Sequence, residues 1–186
     1  MRTLLAWFGD DPERAGLMDT PNRVATAFPD MLSGYKTDPT AILKRSMMPD
    51  DGGGQLVMLR SIRLVSMCER HFLPIVGQAH VAYVPRRHAV GIGALAAVVD
   101  AATRRLQIQD RMTDDIIRPI VEVLDPEGAA VVVEAEHLCM TARGVAKAAA
   151  RFITSRQLGC LSSDTGRGQA FLNLVTGGRT GGIGTV

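Results

Sequence analysis

Two short residue pairs carry the chemistry this sequence offers: Cys68 with His71 in a C-x-x-H spacing, and His137 with Cys139 in an H-x-C spacing. Together they supply soft and borderline ligands of the kind Zn²⁺ takes in tetrahedral sites. Either pair alone also reads as buried thiols beside satisfied or exposed imidazoles. The chain holds three cysteines, Cys68, Cys139 and Cys160. So small and odd a number disfavours a disulfide framework and favours metal binding or plain burial. At least one of the three is expected to be core. Between the first two ligands stand Glu69 and Arg70. A guanidinium stays protonated near neutral pH, so Arg70 can hold an oxyanion or a carboxylate but cannot shuttle a proton.

Strands must bring these pairs together. Residues 55–66 and 78–84 alternate and are rich in branched side chains, which predicts an antiparallel pair flanking the segment CERHFLP. Residues 129–140, AAVVVEAEHLCM, alternate with period two. That pattern puts Val131, Val133, Ala135, His137 and Cys139 on one face, and Val132, Glu134, Glu136 and Leu138 on the other. The two ligand pairs can then converge across a sheet. A fourth strand is expected through residues 150–155.

Helices complete the frame. Thr20 as N-cap and Pro21 at the first helical position open an early helix carrying Val24, Ala27, Phe28, Met31 and Leu32 on one face, with Gly34 to close it. Pro29 is expected to kink or split it. A second helix follows in residues 90–107, with Leu95, Val98, Val99 and Ala102 inward. The third, in residues 110–124, buries Met112, Ile116, Ile120 and Leu124 and has an internal kink at Pro119. A short helix is expected near residues 168–175. The glycine-rich end, residues 177–186, reads as a flexible tail.

At 186 residues the chain suits one domain with a real core. One Trp, two Tyr and five Phe leave little for stacking on exposed bases, and a net charge of +2 from interspersed residues makes no case for nucleic acid or membrane partners. No run approaches the ~18 apolar residues of a membrane span, and the N-terminus lacks the pattern of a signal peptide. The cytoplasm is the expected location.

Four separated blocks, in order, resemble the GTP cyclohydrolase I family: LMDTPNRVATAFPDMLSGY, SMCERHFLPIVGQAHVAYVP, RRLQIQDRMT and VVVEAEHLCMTARGV. The resemblance implies an α+β tunnelling fold (T-fold), an antiparallel four-stranded sheet with helices on one face. It implies an N-terminal helical segment over 1–50, a catalytic domain over 51–176, and a toroidal homodecamer with active sites between subunits. It makes Cys68, His71 and Cys139 the ligands of a catalytic zinc with one position left for water. In the family reaction hydroxide attacks C8 of the guanine imidazole ring, a histidine protonates the departing nitrogen, formate leaves and a pterin ring closes. His137 takes the place of that histidine, and Gln109, Asp110, Glu69, Arg23 and Arg143 take the places of substrate contacts.

Departures from the family pattern bear on the substrate. The family's Cys-Glu-His-His has Arg70 at its first histidine, and Asp110 replaces a glutamate that reads the guanine edge. Gly93, Ala94, Ala97 and Thr26 stand where the family has a Ser-Lys pair, an arginine and a lysine, leaving Arg23 and Arg143 of the phosphate-gripping set. Arg86, Arg87 and Arg104 are candidate substitutes. Each charge-assisted hydrogen bond lost from a triphosphate costs about 1.5–3 kcal/mol. The expectation is therefore a zinc-dependent hydrolase that opens a purine-like ring carrying fewer phosphates. A genuine GTP cyclohydrolase I is the alternative, and a non-catalytic pterin- or purine-binding relative is the third reading.

Overall fold

The computed structural model describes residues 1–50, 53–143, 150–163 and 165–177. Its centre is a sheet with strand order β5-β2-β3-β6-β7, in which β2 is Val57–Cys68, β3 Pro74–Val84, β5 Leu106–Gln107, β6 Gly128–His137 and β7 Phe152–Gly159. The four long strands are antiparallel neighbours, as expected for the α+β class. The two-residue β5 adds a parallel pairing at Met67 and Cys68. A second small sheet pairs β1 (Met47–Pro49) with β4 (His88–Val90), which the sequence did not announce.

Helix α5 (Gln109–Leu124) shows the clearest passage from pattern to packing. Met112, Ile116, Ile120 and Leu124 recur every four residues, so they stack along one face, and all four are buried. Each such side chain contributes about 1.5–3 kcal/mol by leaving water. They meet Leu95, Val98 and Val99 of α4 (Ile92–Thr103), Leu43 of α3 (Pro39–Ser46), and the alternate residues Ala79, Val81, Val131, Val133 and Ala135 of the sheet. Pro119 lies within α5, and the helix runs unbroken through it.

The opposite sheet face is not bare. Helix α7 (Gly166–Val175) places Phe171 there, with Leu161, against Ala82, Val84, Ala130 and Val132. Helices thus lie on both faces, and the expectation of one face alone is corrected at this end of the sheet. The reason is visible in the last residues of β3 and the first of β6, which pair with one another, are apolar at every position and need cover on both sides. Cys160 packs, partly buried, at the edge of this second cluster, whereas Cys68 is the one of the three that is buried in the main core.

The early helix α2 runs Thr20–Met31, so Thr20 is already inside it and Asp19 holds the cap position. Pro29 falls in its last turn and does not divide it. The chain continues as a 3₁₀ turn, Ser33–Lys36, in which Gly34 is buried. A β-carbon on Gly34 would stand 2.5 Å from the Ala101 carbonyl oxygen and 2.8 Å from that of Arg104. Gly34 is therefore required by close approach to the end of α4 rather than by helix termination. The tail expected over 177–186 lies outside the described residues from 178 onward.

Candidate metal centre

The turn joining β2 to β3 makes the first half of the site. Cys68 is the last residue of β2; its N–H donates to the Leu73 carbonyl at 2.8 Å, and its own carbonyl accepts from Phe72 N–H at 2.8 Å. Phe72 closes this loop with φ of +57°, a left-handed conformation unusual for a non-glycine residue. Its ring rests on Phe28 of α2, with centroids 5.5 Å apart. The tight turn folds His71 back over the strand end, so that its Nδ1 lies 3.6 Å from Cys68 Sγ.

The second half comes from the end of β6. His137 pairs with Ile75, and the ladder stops there because β3 begins at Pro74 and offers no further partner. The chain then turns into the short helix α6 (Leu138–Thr141). Cys139 is thus on a helical turn and not on the strand face, a correction to the period-two expectation. The turn still delivers its sulfur: one ligand atom each from Cys68, His71 and Cys139 lie within 4.8 Å of one another.

This donor set fits zinc. Two ligands on a tetrahedral zinc with bonds of about 2.0–2.3 Å stand about 3.5–3.8 Å apart, which the Cys68–His71 separation matches and a small inward motion of Cys139 would reach. Burial pushes the Cys139 thiol above its ordinary range, and the neighbouring Cys68 sulfur adds to the rise, opposed weakly by Arg143. The crowded, partly desolvated Cys139 sulfur resists ionising by itself, and a divalent cation bound there would remove that penalty.

Residues 1–176 match the sequence family described as GTP cyclohydrolase I. The chain belongs to that family. It is a hydrolase of the class that acts on carbon–nitrogen bonds of cyclic amidines. It is 42% identical over 175 residues to a protein named GTP cyclohydrolase 1 from Synechococcus sp. (strain JA-2-3B'a(2-13)), covering 94% of this chain and 76% of the relative. A protein of the same name from Leptospira biflexa is 43% identical over 178 residues, covering 96% and 95%. Among solved structures, the apo archaeosine synthase QueF-Like aligns with a TM-score of 0.46 and 18% identity, over 56% of this chain and 93% of that one.

The family residues singled out in the sequence fall into three groups. Cys68, His71 and Cys139 converge as described, and His137 ends β6 two residues before Cys139, half-buried. Burial pushes the His137 imidazole below its ordinary range, and the Phe152 ring meets it edge-on at 5.7 Å. Gln109, the first residue of α5, is only 2% exposed and lies behind His137, with its Oε1 2.8 Å from Nε2 of that histidine. Asp110 is exposed in the first turn of α5. It borders a hollow of about 360 Å³ together with Thr113, Ile153, Thr154, Ser155 and Arg156.

The charged candidates are distributed differently. Glu69 is ion-paired with Arg111, whose guanidinium also donates to Gln107 Oε1 at 3.0 Å and to the Leu106 carbonyl at 3.1 Å. Arg23 is exposed on α2 and bound to Asp19 at 2.9 Å. Arg70 and Arg143 are exposed and, among the described residues, make no hydrogen bond or ion pair. Of the substitute cations, Arg86 is held by Asp125 and Arg104 by Asp30 and Asp100. Arg111, Thr113 and Thr154 escaped the sequence reading; only the spacing of Gln109 and Thr113, one helical turn apart, hinted at a shared site.

Proposed function

We propose that this protein is a GTP cyclohydrolase I acting on GTP itself: it opens the imidazole ring, releases formate and closes a pterin ring to give 7,8-dihydroneopterin triphosphate. The observation that carries this reading is the convergence of Cys68, His71 and Cys139, with His137 two residues before the last of them, in a chain whose relatives of that name match it over nearly its whole length. Those relatives support GTP better than the altered substrate expected from Arg70 and the missing cations. That expectation yields to the unaltered reaction.

When bound at the three donors, zinc supplies a Lewis acid that makes water nucleophilic near neutral pH. The chain's own residues do the rest. Hydrolysis adds water across a carbon–nitrogen bond, so a proton must reach the departing nitrogen, and His137 is the group at hand to carry it. Asp110 offers a carboxylate to the amidine edge of the base, and exposed Arg70, Arg143 and Arg23 offer cations for the triphosphate. The Phe152 ring packs edge-on against His137.

Residues 51–176 form the catalytic unit and 1–50 the helical segment that braces it through Phe28 and Phe72. The unit is incomplete as a monomer. Strand β7 is an outer strand exposing Phe152, Ile153 and Leu158, and β2 is paired on its far side only at Met67 and Cys68. Open apolar edges of this kind call for a partner, and two different edges on one chain close a ring by head-to-tail contact. A homo-oligomeric ring, decameric when two rings stack, puts the exposed hollow at Asp110 beside the next copy. No helix among the described residues is long and apolar enough to cross a membrane, and we place the protein in the cytoplasm.

Incubation of zinc-loaded protein with GTP, with assay of formate and of a fluorescent pterin after oxidation, tests the reading. Both products are expected. Turnover of a free purine or nucleoside with none of GTP would return the altered-substrate reading, and zinc binding without any turnover would point to a binding protein.

A further inference from the structure

The polar groups behind His137 determine which of its two ring nitrogens acts. Gln109 Nε2 lies 3.1 Å from the Val133 carbonyl oxygen, 2.8 Å from that of Phe152 and 3.2 Å from Thr154 Oγ1. Carbonyl oxygens only accept, so the end of the amide among them must be the NH₂ group. Its oxygen is then turned toward His137, 2.8 Å from Nε2. An amide oxygen also only accepts, so Nε2 carries the hydrogen.

Every proton behind this arrangement can be traced. Thr113 Oγ1 donates to the Gln109 backbone carbonyl at 2.9 Å. Its hydrogen being used there, Thr113 Oγ1 accepts from Thr154 Oγ1 at 2.6 Å. Thr154 in turn keeps its lone pairs for the Gln109 amide. No member of the chain competes for the His137 Nε2–H, and Gln109 is buried among its partners with its amide oxygen and NH₂ both engaged.

We infer that Gln109 is a positioning residue that locks His137 in the Nε2–H tautomer, so that Nδ1 is the nitrogen presented to the reacting molecule. This assigns Gln109 a role other than the substrate contact implied by family resemblance. It deepens the proposed function and rests on it for the identity of the reacting molecule, while the tautomer rests on geometry alone. Nδ1 takes a proton from the water that adds to the ring and passes it to the departing nitrogen, while Nε2 keeps its hydrogen throughout.

The test uses the full chain, zinc-loaded and labelled with ¹⁵N-histidine, in ¹H–¹⁵N correlation spectra at pH 8. The His137 signals are identified by their loss in His137→Asn. A protonated Nε2 with a bare Nδ1 is expected, and in Gln109→Met that single tautomer gives way to a mixture. With GTP, Gln109→Met is expected to lower kcat by about 100-fold, the lower end of what a positioned acid–base group contributes, with KM changed less than about twofold. A proton found on Nδ1 in the unmodified protein would overturn the inference. So would a Gln109→Met enzyme whose KM rises while kcat holds, since that marks a substrate contact. Should Gln109→Met not fold, the spectrum of the unmodified protein still decides. Should GTP not be turned over at all, the proposed function fails and the tautomer is judged by the spectrum alone.

Discussion

Cys68 Sγ and His71 Nδ1 stand 3.6 Å apart across a turn in which the Cys68 backbone donates to Leu73 and accepts from Phe72, which sets two candidate metal ligands at the spacing of a tetrahedral site. Such a preformed pair lowers the ordering that metal binding must impose, and Cys139 is the ligand left to adjust.

Removing that third ligand tests the centre. Cys139→Ala is expected to fall from one bound zinc per chain to near none after dialysis, measured by elemental analysis, with loss of GTP turnover. Zinc should also raise the melting temperature of the unmodified protein, since a ligand at 100 times its Kd stabilises by about 2.7 kcal/mol. Cys139→Ala should show no such rise.

Arg111 holds the metal loop from behind through Glu69, Gln107 and the Leu106 carbonyl. Arg111→Met is expected to weaken zinc binding about 10- to 100-fold, as loss of an outer-sphere partner does, while leaving the far-ultraviolet circular dichroism unchanged. Competition with a chromophoric chelator measures it.

His80 lies in β3, buried, with Nδ1 accepting from Ser61 N–H at 3.4 Å where β2 bulges and Ser61 takes a φ of +54°. Burial, and secondarily the Arg60 cation, hold its pKa below the ordinary 6.5, against a weaker opposing pull from Glu134. Below pH 6.5 the unfolded chain therefore takes up a proton that the folded one refuses. Stability contributed by neutral His80 is present above pH 6.5 and is lost as pH falls toward the folded-state value. Melting temperatures from pH 7.5 to 5 should decline more steeply for the unmodified protein than for His80→Gln, both without zinc.

Gly34→Ala places a methyl group against the carbonyl oxygens of Ala101 and Arg104. Overpacking against backbone costs about 1–3 kcal/mol, and urea unfolding should register a loss of that size. An equal or greater stability would mean that the 3₁₀ turn moves away freely from α4.

The residue types fixed a good deal without any coordinates. Cys68, His71, Cys139 and His137 were nameable from their spacing, and the buried stripe of α5 from its four-residue period, because ligand chemistry and helical periodicity are local properties. What distance along the chain hides was decided by tertiary structure. Cys139 leaves the strand because β3 runs out of partner at Pro74. Gly34 is shaped by α4, some seventy residues away. Gln109 faces a histidine and two carbonyl oxygens that come from β6 and the start of β7. An amide's orientation, and with it a histidine's tautomer, depends on which donors and acceptors meet in space, and no pattern within one segment can state that.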